Sequence, residues 1–287
     1  MTGGEVRISR GMINRLNREF AKKSKKERDD MFSRLATADV LYTDMTGARM
    51  NGQLKNIVVC TDGDDIMYFF RDKKGDEAIK GTPVEICTNV LVHGHDKTFY
   101  HYGGKHQECN EHHLRYLKGA AEIETNLTWH KKMRSLLQEM NTPRESQNRI
   151  LSEEQVADFE KRYEEILDLA DKEYYGNPPS QYYRKGFNLS KEFKKYKESI
   201  LRFLKDPKVD FTNNVSERGC RKPKRHLAVS GTFRGKTNRS GEEYCDAMGV
   251  IQAIRARGGN VHDELREIFR RPMPKKEGMT ETEEQEN

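Results

Sequence analysis

Glu217 is a lone acid at the head of a run of cations. The stretch Asp210-Phe211-Thr212-Asn213-Asn214-Val215-Ser216-Glu217-Arg218-Gly219-Cys220-Arg221-Lys222-Pro223-Lys224-Arg225-His226 puts it just past a polar turn. Thr212 or Asn213 is suited to cap a helix whose first turn carries Glu217, where the positive end of the helix dipole favours a carboxylate. Arg218, Arg221, Lys222, Lys224 and Arg225 then surround it with phosphate-binding charge. A carboxylate embedded in cations suits an enzyme that holds a divalent metal beside a polyanion. The same residues read equally as a solvated basic helix with one ion-paired Glu. Two other groups have chemistry in them: Asp44, within Tyr42-Thr43-Asp44-Met45-Thr46-Gly47, and the pair Cys109-Asn110-Glu111-His112, with His106 and His113 nearby. Structural zinc wants four ligands, so one Cys-x-x-His half-site reads first as a buried helix start.

The elements that must position these residues follow from patterning. Ser9 opens a helix with Ile13, Leu16 and Phe20 on one face, residues 22–28 read as a basic linker, and Met31, Phe32 and Leu35 mark a second helix. Residues 40–44 read as a buried strand ending in the acid Asp44. Asn51-Gly52 is a two-residue hairpin signal, with residues 57–60 as the returning strand and residues 66–70 as a third. A short helix at residues 76–80 precedes a fourth strand, residues 90–93. Residues 111–117 and 126–140 are helical, and Ser152 with Gln155 forms a capping box before Val156, Phe159, Tyr163, Ile166 and Leu169. After the break at Pro178-Pro179, Leu189, Phe193, Tyr196, Ile200 and Phe203 trace one amphipathic helix. The aromatic stripes are core-forming. Beyond Glu217, Tyr244, Met248, Ile251 and Ile254 trace a helix to Gly258-Gly259, and Leu265, Ile268 and Phe269 the last.

Of 287 residues, 34% are charged and 34% hydrophobic, with a net charge of +6. The stretch 277–287 holds five Glu and no Lys or Arg, so the body before it is more basic than the total suggests. Such a body suits a polyanionic partner, nucleic acid first among them. Five scattered Cys indicate free thiols in a reducing compartment, and no run reaches the length of a membrane-spanning helix. These features predict a cytoplasmic protein.

The segment Asn213-Asn214-Val215-Ser216-Glu217-Arg218 resembles the last signature of the DDE transposases of bacterial insertion sequences, in the branch called the insertion sequence sixty-six family. The likeness continues through Ser230-Gly231-Thr232-Phe233-Arg234 and Ser240-Gly241, and runs backward almost to the start. It implies an α/β, ribonuclease H-like mixed sheet with flanking helices and an all-helical insertion before the third catalytic acid. It implies DNA cleavage and strand transfer with Mg²⁺ or Mn²⁺ held by three carboxylates. Asp44 matches the first acid and Glu217 the third. Family members carry the second acid between two histidines, where this chain reads His93-Gly94-His95-Asp96-Lys97. Gly94 offers no oxygen. Asp96, two residues on, is the nearest substitute, but two residues of strand span about 6.5 Å, so it would have to fold back to serve. The resembling family also has a Cys and a His near Cys109 and His112, which implies a packing or site-supporting role.

For DNA, the expected contacts are Arg218, Arg221, Lys222, Lys224 and Arg225, with Arg234, Lys236 and Arg239 in a Gly- and Ser-containing loop. No base-reading motif accompanies them, so they position the phosphate backbone. The expected organisation is a helical segment over residues 1–39, core over 40–118, helical insertion over 119–205, core again over 206–271 and a disordered acidic tail over 272–287. Longer family members add an N-terminal zinc-binding, end-recognition region for which this chain has no Cys spacing. That difference and Gly94 point to impaired transposition, with a catalytically inactive DNA-binding remnant as the alternative. Paired transposon ends imply an oligomer on DNA.

Overall fold

The computed structural model describes residues 9–181 and 183–274; of the acidic tail expected over 272–287, all but the first three residues lie outside the described residues. Five strands form one mixed sheet. The first, β1 (Val40–Met50), turns at Asn51-Gly52 into β2 (Gln53–Thr61), followed by β3 (Ile66–Arg71), β4 (Val90–His93) and β5 (Lys105–Glu108). Their order is β3-β2-β1-β4-β5. The first three are antiparallel, while β4 pairs parallel with β1 and β5 parallel with β4. Asn51 and Gly52 both have positive φ (51° and 81°), as a tight hairpin matching strand twist requires. This α/β arrangement is compatible with a ribonuclease H-like fold.

Two helices precede the sheet, α1 (Arg10–Lys23) and α2 (Lys25–Thr37). The Ser9 hydroxyl caps α1 by accepting from Met12 N–H at 3.1 Å. The expected basic linker over 22–28 is instead almost wholly helical, with Ser24 alone separating the two helices. Short turns α3 (Asp76–Ile79) and α4 (Pro83–Ile86) lie before β4. Between β5 and residue 205 the chain is helical: α5 (Asn110–Ile123), α6 (Trp129–Ser146), α7 (Glu153–Gly176), α8 (Lys185–Lys195) and α9 (Lys197–Lys205). The capping box before α7 forms as expected. The single helix expected over Leu189 to Phe203 breaks at Tyr196 into α8 and α9. Then come α10 (Asn214–Ser230), α11 (Arg239–Ala256) and α12 (Val261–Arg270).

Side-chain alternation along β1 splits the core in two. Leu41 joins Val58, Cys60, Met67 and Leu91 under α2 and α11. Val40 and Tyr42 face the other way, into a cluster built largely from α5–α9 with Trp129, Tyr163 and Phe193 at its centre. Further along that second face, Ala48, Met50 and Val59 meet Cys220 of α10. The two faces thus receive different helical layers, and the layer on the Tyr42 face is the one that carries Glu217.

Candidate active site

Asp44 does not end its strand. Pairing of β1 with β2 runs unbroken from Tyr42↔Thr61 to Met50↔Gln53, so Asp44, opposite Val59, stands mid-strand. A period of two puts it on the face of Tyr42 and Ala48, beneath α10. Its Oδ1 accepts from Met45 N–H at 2.8 Å, and its Oδ2 lies 3.5 Å from the Cys220 thiol, which donates to it. Burial pushes the Asp44 carboxyl up from its ordinary value; those two hydrogen bonds pull the other way, and the charge of Glu217 adds to the rise.

Glu217 lies in the first turn of α10, as its position after the polar turn predicts. The expected side-chain cap is absent because Asn213 is used otherwise. Its Nδ2 donates to Thr43 O at 2.8 Å and its backbone N–H to Cys109 Sγ at 3.2 Å, while Asn110 N–H donates to Phe211 O at 3.1 Å. These bonds strap the start of α10 to β1 next to Asp44 and to the start of α5. Two residues past Glu217, a Cβ on Gly219 would fall 2.7 Å from Ile66 Cδ1 and 2.9 Å from Val59 Cγ1, so only glycine lets α10 lie this close to the sheet. Pro223 withholds the N–H that the Gly219 carbonyl would normally receive, and the Tyr68 hydroxyl donates there instead at 3.3 Å.

Both acids have a thiol neighbour. Cys109 is buried and its thiol donates to Glu217 Oε1 at 3.5 Å, with His112 Nδ1 3.6 Å from the same oxygen. Burial pushes the Cys109 thiol up to about 11 and lowers the His112 imidazole, as does neighbouring Arg115. Gly94 opens toward this group: a Cβ there would meet only His112 Cε1, at 3.9 Å, and its backbone lies outside the left-handed region. A Cβ therefore fits at residue 94, in ordinary van der Waals contact with His112.

Residues 1–239 match the Transposase IS66 family. The chain belongs to that family. No curated protein matches it. Membership in the IS66 family makes this a transposase-family chain whose substrate class is DNA and whose relatives use divalent metal.

Asp96 is placed apart from the acid pair of this IS66 chain. The strand β4 ends at His93, and Asp96 caps the 3-10 turn Lys97–His101 by accepting from Thr98 N–H at 3.0 Å. The histidines either side of Gly94 also have partners. His93 is fully buried, hydrogen-bonded to His106 at 3.2 Å, and desolvation holds its imidazole down at about 4. His95 reaches Glu108 at 2.9 Å and Glu192 at 3.0 Å, while His113 lies 2.8 Å and Tyr100 2.5 Å from the Glu108 carboxylate. Burial works to raise the Glu108 carboxyl, but the bonds from His113 and His95 outweigh it and hold it well below the usual carboxylate range.

Along α10, Glu217, Arg221 and Lys224 follow one another at i, i+4 and i+7, one above the next. Arg218, Arg221, Lys224 and Arg225 are exposed and Lys222 half-buried, and among the described residues none of them forms an ion pair. Arg234, Lys236 and Arg239 are exposed as well, around a polar cleft of about 240 Å³ that also takes in Arg18. Arg239 is paired there with Glu243 at 2.7 Å. Sequence reasoning missed Cys220, Asn213 as a strap, and the Tyr68–Gly219 contact. Cys220 had a readable signal, since i+3 from Glu217 puts it on the same helix face. The other two depend on long-range pairing.

Proposed function

We propose that this chain is the catalytic domain of a DDE-type transposase, with Asp44 and Glu217 serving metal-dependent DNA cleavage and strand transfer and Gly94 leaving the site short of its second acid. One observation carries the reading: Asp44 in β1 and Glu217 in α10 are strapped together through Asn213 on one face of the sheet, with no clash awaiting a Cβ at Gly94. Two carboxylates fit an oxygen-preferring cation such as Mg²⁺ or Mn²⁺, whose remaining ligands are water and phosphate oxygens. Such a cation, when bound, stabilises charge on the attacking and leaving oxygens of a phosphodiester.

The chain's own residues orient and charge the site. Met45 N–H and Cys220 fix the Asp44 carboxylate, and Cys109 and His112 stand over Glu217. The cations of α10, Arg234 and Lys236 in the loop before α11, and Arg239, which opens α11 instead of lying in that loop as expected, hold phosphates in place without reading bases. Asp96 joins the pair only by giving up its cap on Thr98. The sheet order supports the ribonuclease H-like reading, and the succession of helices from the end of α5 through α9, with no strand among them, supports an insertion between the core segments 40–118 and 206–271, with α1 and α2 as the leading helical segment. Paired transposon ends call for a dimer or larger assembly on DNA, at the bacterial nucleoid.

The test is Mn²⁺-dependent cleavage of transposon-end DNA by the chain beside its Glu217→Gln and Gly94→Asp forms. Cleavage lost in Glu217→Gln supports a working site, and cleavage confined to Gly94→Asp identifies a disabled one. No cleavage in any form counts against the reading. The missing oxygen donor at residue 94 also favours a second reading, an inactive DNA-binding remnant, in which DNA affinity is the same with Glu217→Gln.

A further inference from the structure

Cys109, His112 and Glu217 come from two elements, the start of α5 and the first turn of α10, and each offers one donor atom to the same small group. The three ligand atoms lie within 4.8 Å of one another, the one such group of His, Cys, Asp or Glu among the described residues. Zinc takes sulfur at about 2.3 Å and imidazole nitrogen or carboxylate oxygen at about 2.0–2.2 Å. Tetrahedral angles then separate sulfur from oxygen by about 3.6 Å and nitrogen from oxygen by about 3.4 Å. The observed separations, 3.5 Å from Cys109 Sγ and 3.6 Å from His112 Nδ1 to Glu217 Oε1, lie close to those edges. His112 Nδ1 is also buried without a hydrogen-bond partner, so its lone pair is free to take an ion.

We propose that Cys109, His112 and Glu217 form a site for a thiophilic divalent cation of the Zn²⁺ class, separate from the oxygen-ligand position at Asp44. Thiolate and imidazole select such an ion over Mg²⁺. With three protein ligands the fourth position falls to water, as at open zinc sites. Glu217 is common to both positions, so an ion held by Cys109 and His112 withdraws that carboxylate from Asp44. This last consequence rests on Glu217 being the catalytic acid, whereas binding itself does not.

The full chain, without DNA, is titrated with Co²⁺ alone and followed by absorption. Expected are a thiolate-to-cobalt charge-transfer band in the near ultraviolet and the intense visible bands of four-coordinate Co²⁺, both displaced by Zn²⁺. Cys109→Ser loses the charge-transfer band, His112→Ala weakens binding at least about tenfold, and Cys220→Ser and Asp44→Asn retain both signals. A band that survives Cys109→Ser, a band lost in Cys220→Ser, or binding indifferent to His112→Ala overturns the proposal. So does Co²⁺ uptake that depends on Asp44 and shows no thiolate band. Should Cys109→Ser fail to fold, His112→Ala decides, because that side chain is 25% exposed. Cleavage plays no part in the readout, so a failed cleavage assay and a failed titration refute different statements.

Discussion

Between residue 94 and an aspartate there is only a carboxymethyl group, and its first carbon fits beside His112 without a clash. Gly94→Asp is therefore expected to fold with stability within about 1 kcal/mol of the parent, and to tighten Mn²⁺ binding about tenfold or more by adding a charged oxygen ligand. Calorimetric titration with Mn²⁺ checks it. Asp44 shows the opposite tension. Its carboxyl is pushed up by burial and by Glu217, so the native state holds its proton more tightly than the unfolded chain does. Its contribution to stability is complete below the ordinary carboxylate range and is lost as pH rises through the elevated folded value. Asp44→Asn, which keeps an oxygen for Met45 N–H, should thus raise stability at neutral pH by about 0.5–2 kcal/mol. The gain should shrink on acidification, and cleavage should vanish. Thermal unfolding at pH 4 and pH 7 measures the gain, and the Mn²⁺-dependent cleavage assay measures the loss.

At the scale of the element, α10 works because of what its residues lack. Gly219 has no Cβ to strike Val59 and Ile66, and Pro223 has no N–H, a loss made good by Tyr68. Gly219→Ala is expected to cost about 1–3 kcal/mol by overpacking and to lift Glu217 from Asp44, so that Mn²⁺ affinity falls together with the urea midpoint. Much of this layer was legible in the chain. The hairpin followed from Asn51-Gly52, β4 from an apolar run, and the helix carrying Glu217 from its polar lead-in. Asp44 hid the length of β1, since an acid in mid-strand breaks the apolar pattern that defines one. The strand Lys105–Glu108 was invisible for a related reason. Its buried members are Gln107 and Glu108, held by hydrogen bonds to the 107–113 and 200–203 segments instead of by apolar contact. The break at Tyr196 has no Gly or Pro to announce it.

Across the whole molecule, Glu108 joins the sheet to the helical layer. Its carboxylate is met by His95, by Tyr100 and by His113 of α5, and His95 continues to Glu192 of α8. Glu108→Gln removes the carboxylate charge that His95, His113 and Tyr100 hydrogen-bond to and is expected to destabilise the fold by about 3–5 kcal/mol, read as a drop in unfolding midpoint. With the Glu108 carboxyl held low, the stability it supplies is present at neutral pH and lost as pH falls through that depressed folded value. The exposed face of α10 makes a separate demand. Arg221→Ala and Lys224→Ala should each reduce the slope of log DNA affinity against log salt by about 1, across unrelated sequences alike.

The strap from Asn213 to Thr43 spans 170 positions of chain. At about 5–20 residues per second on the ribosome, roughly 10–30 s pass between synthesis of the first acid and arrival of the helix that brings the second. Throughout that interval β1 has Asp44 without Glu217, so the nascent polypeptide carries only half of the proposed site. A chain released early, anywhere before α10, holds Asp44 without Glu217 and so lacks half of the acid pair on which the proposed reaction depends.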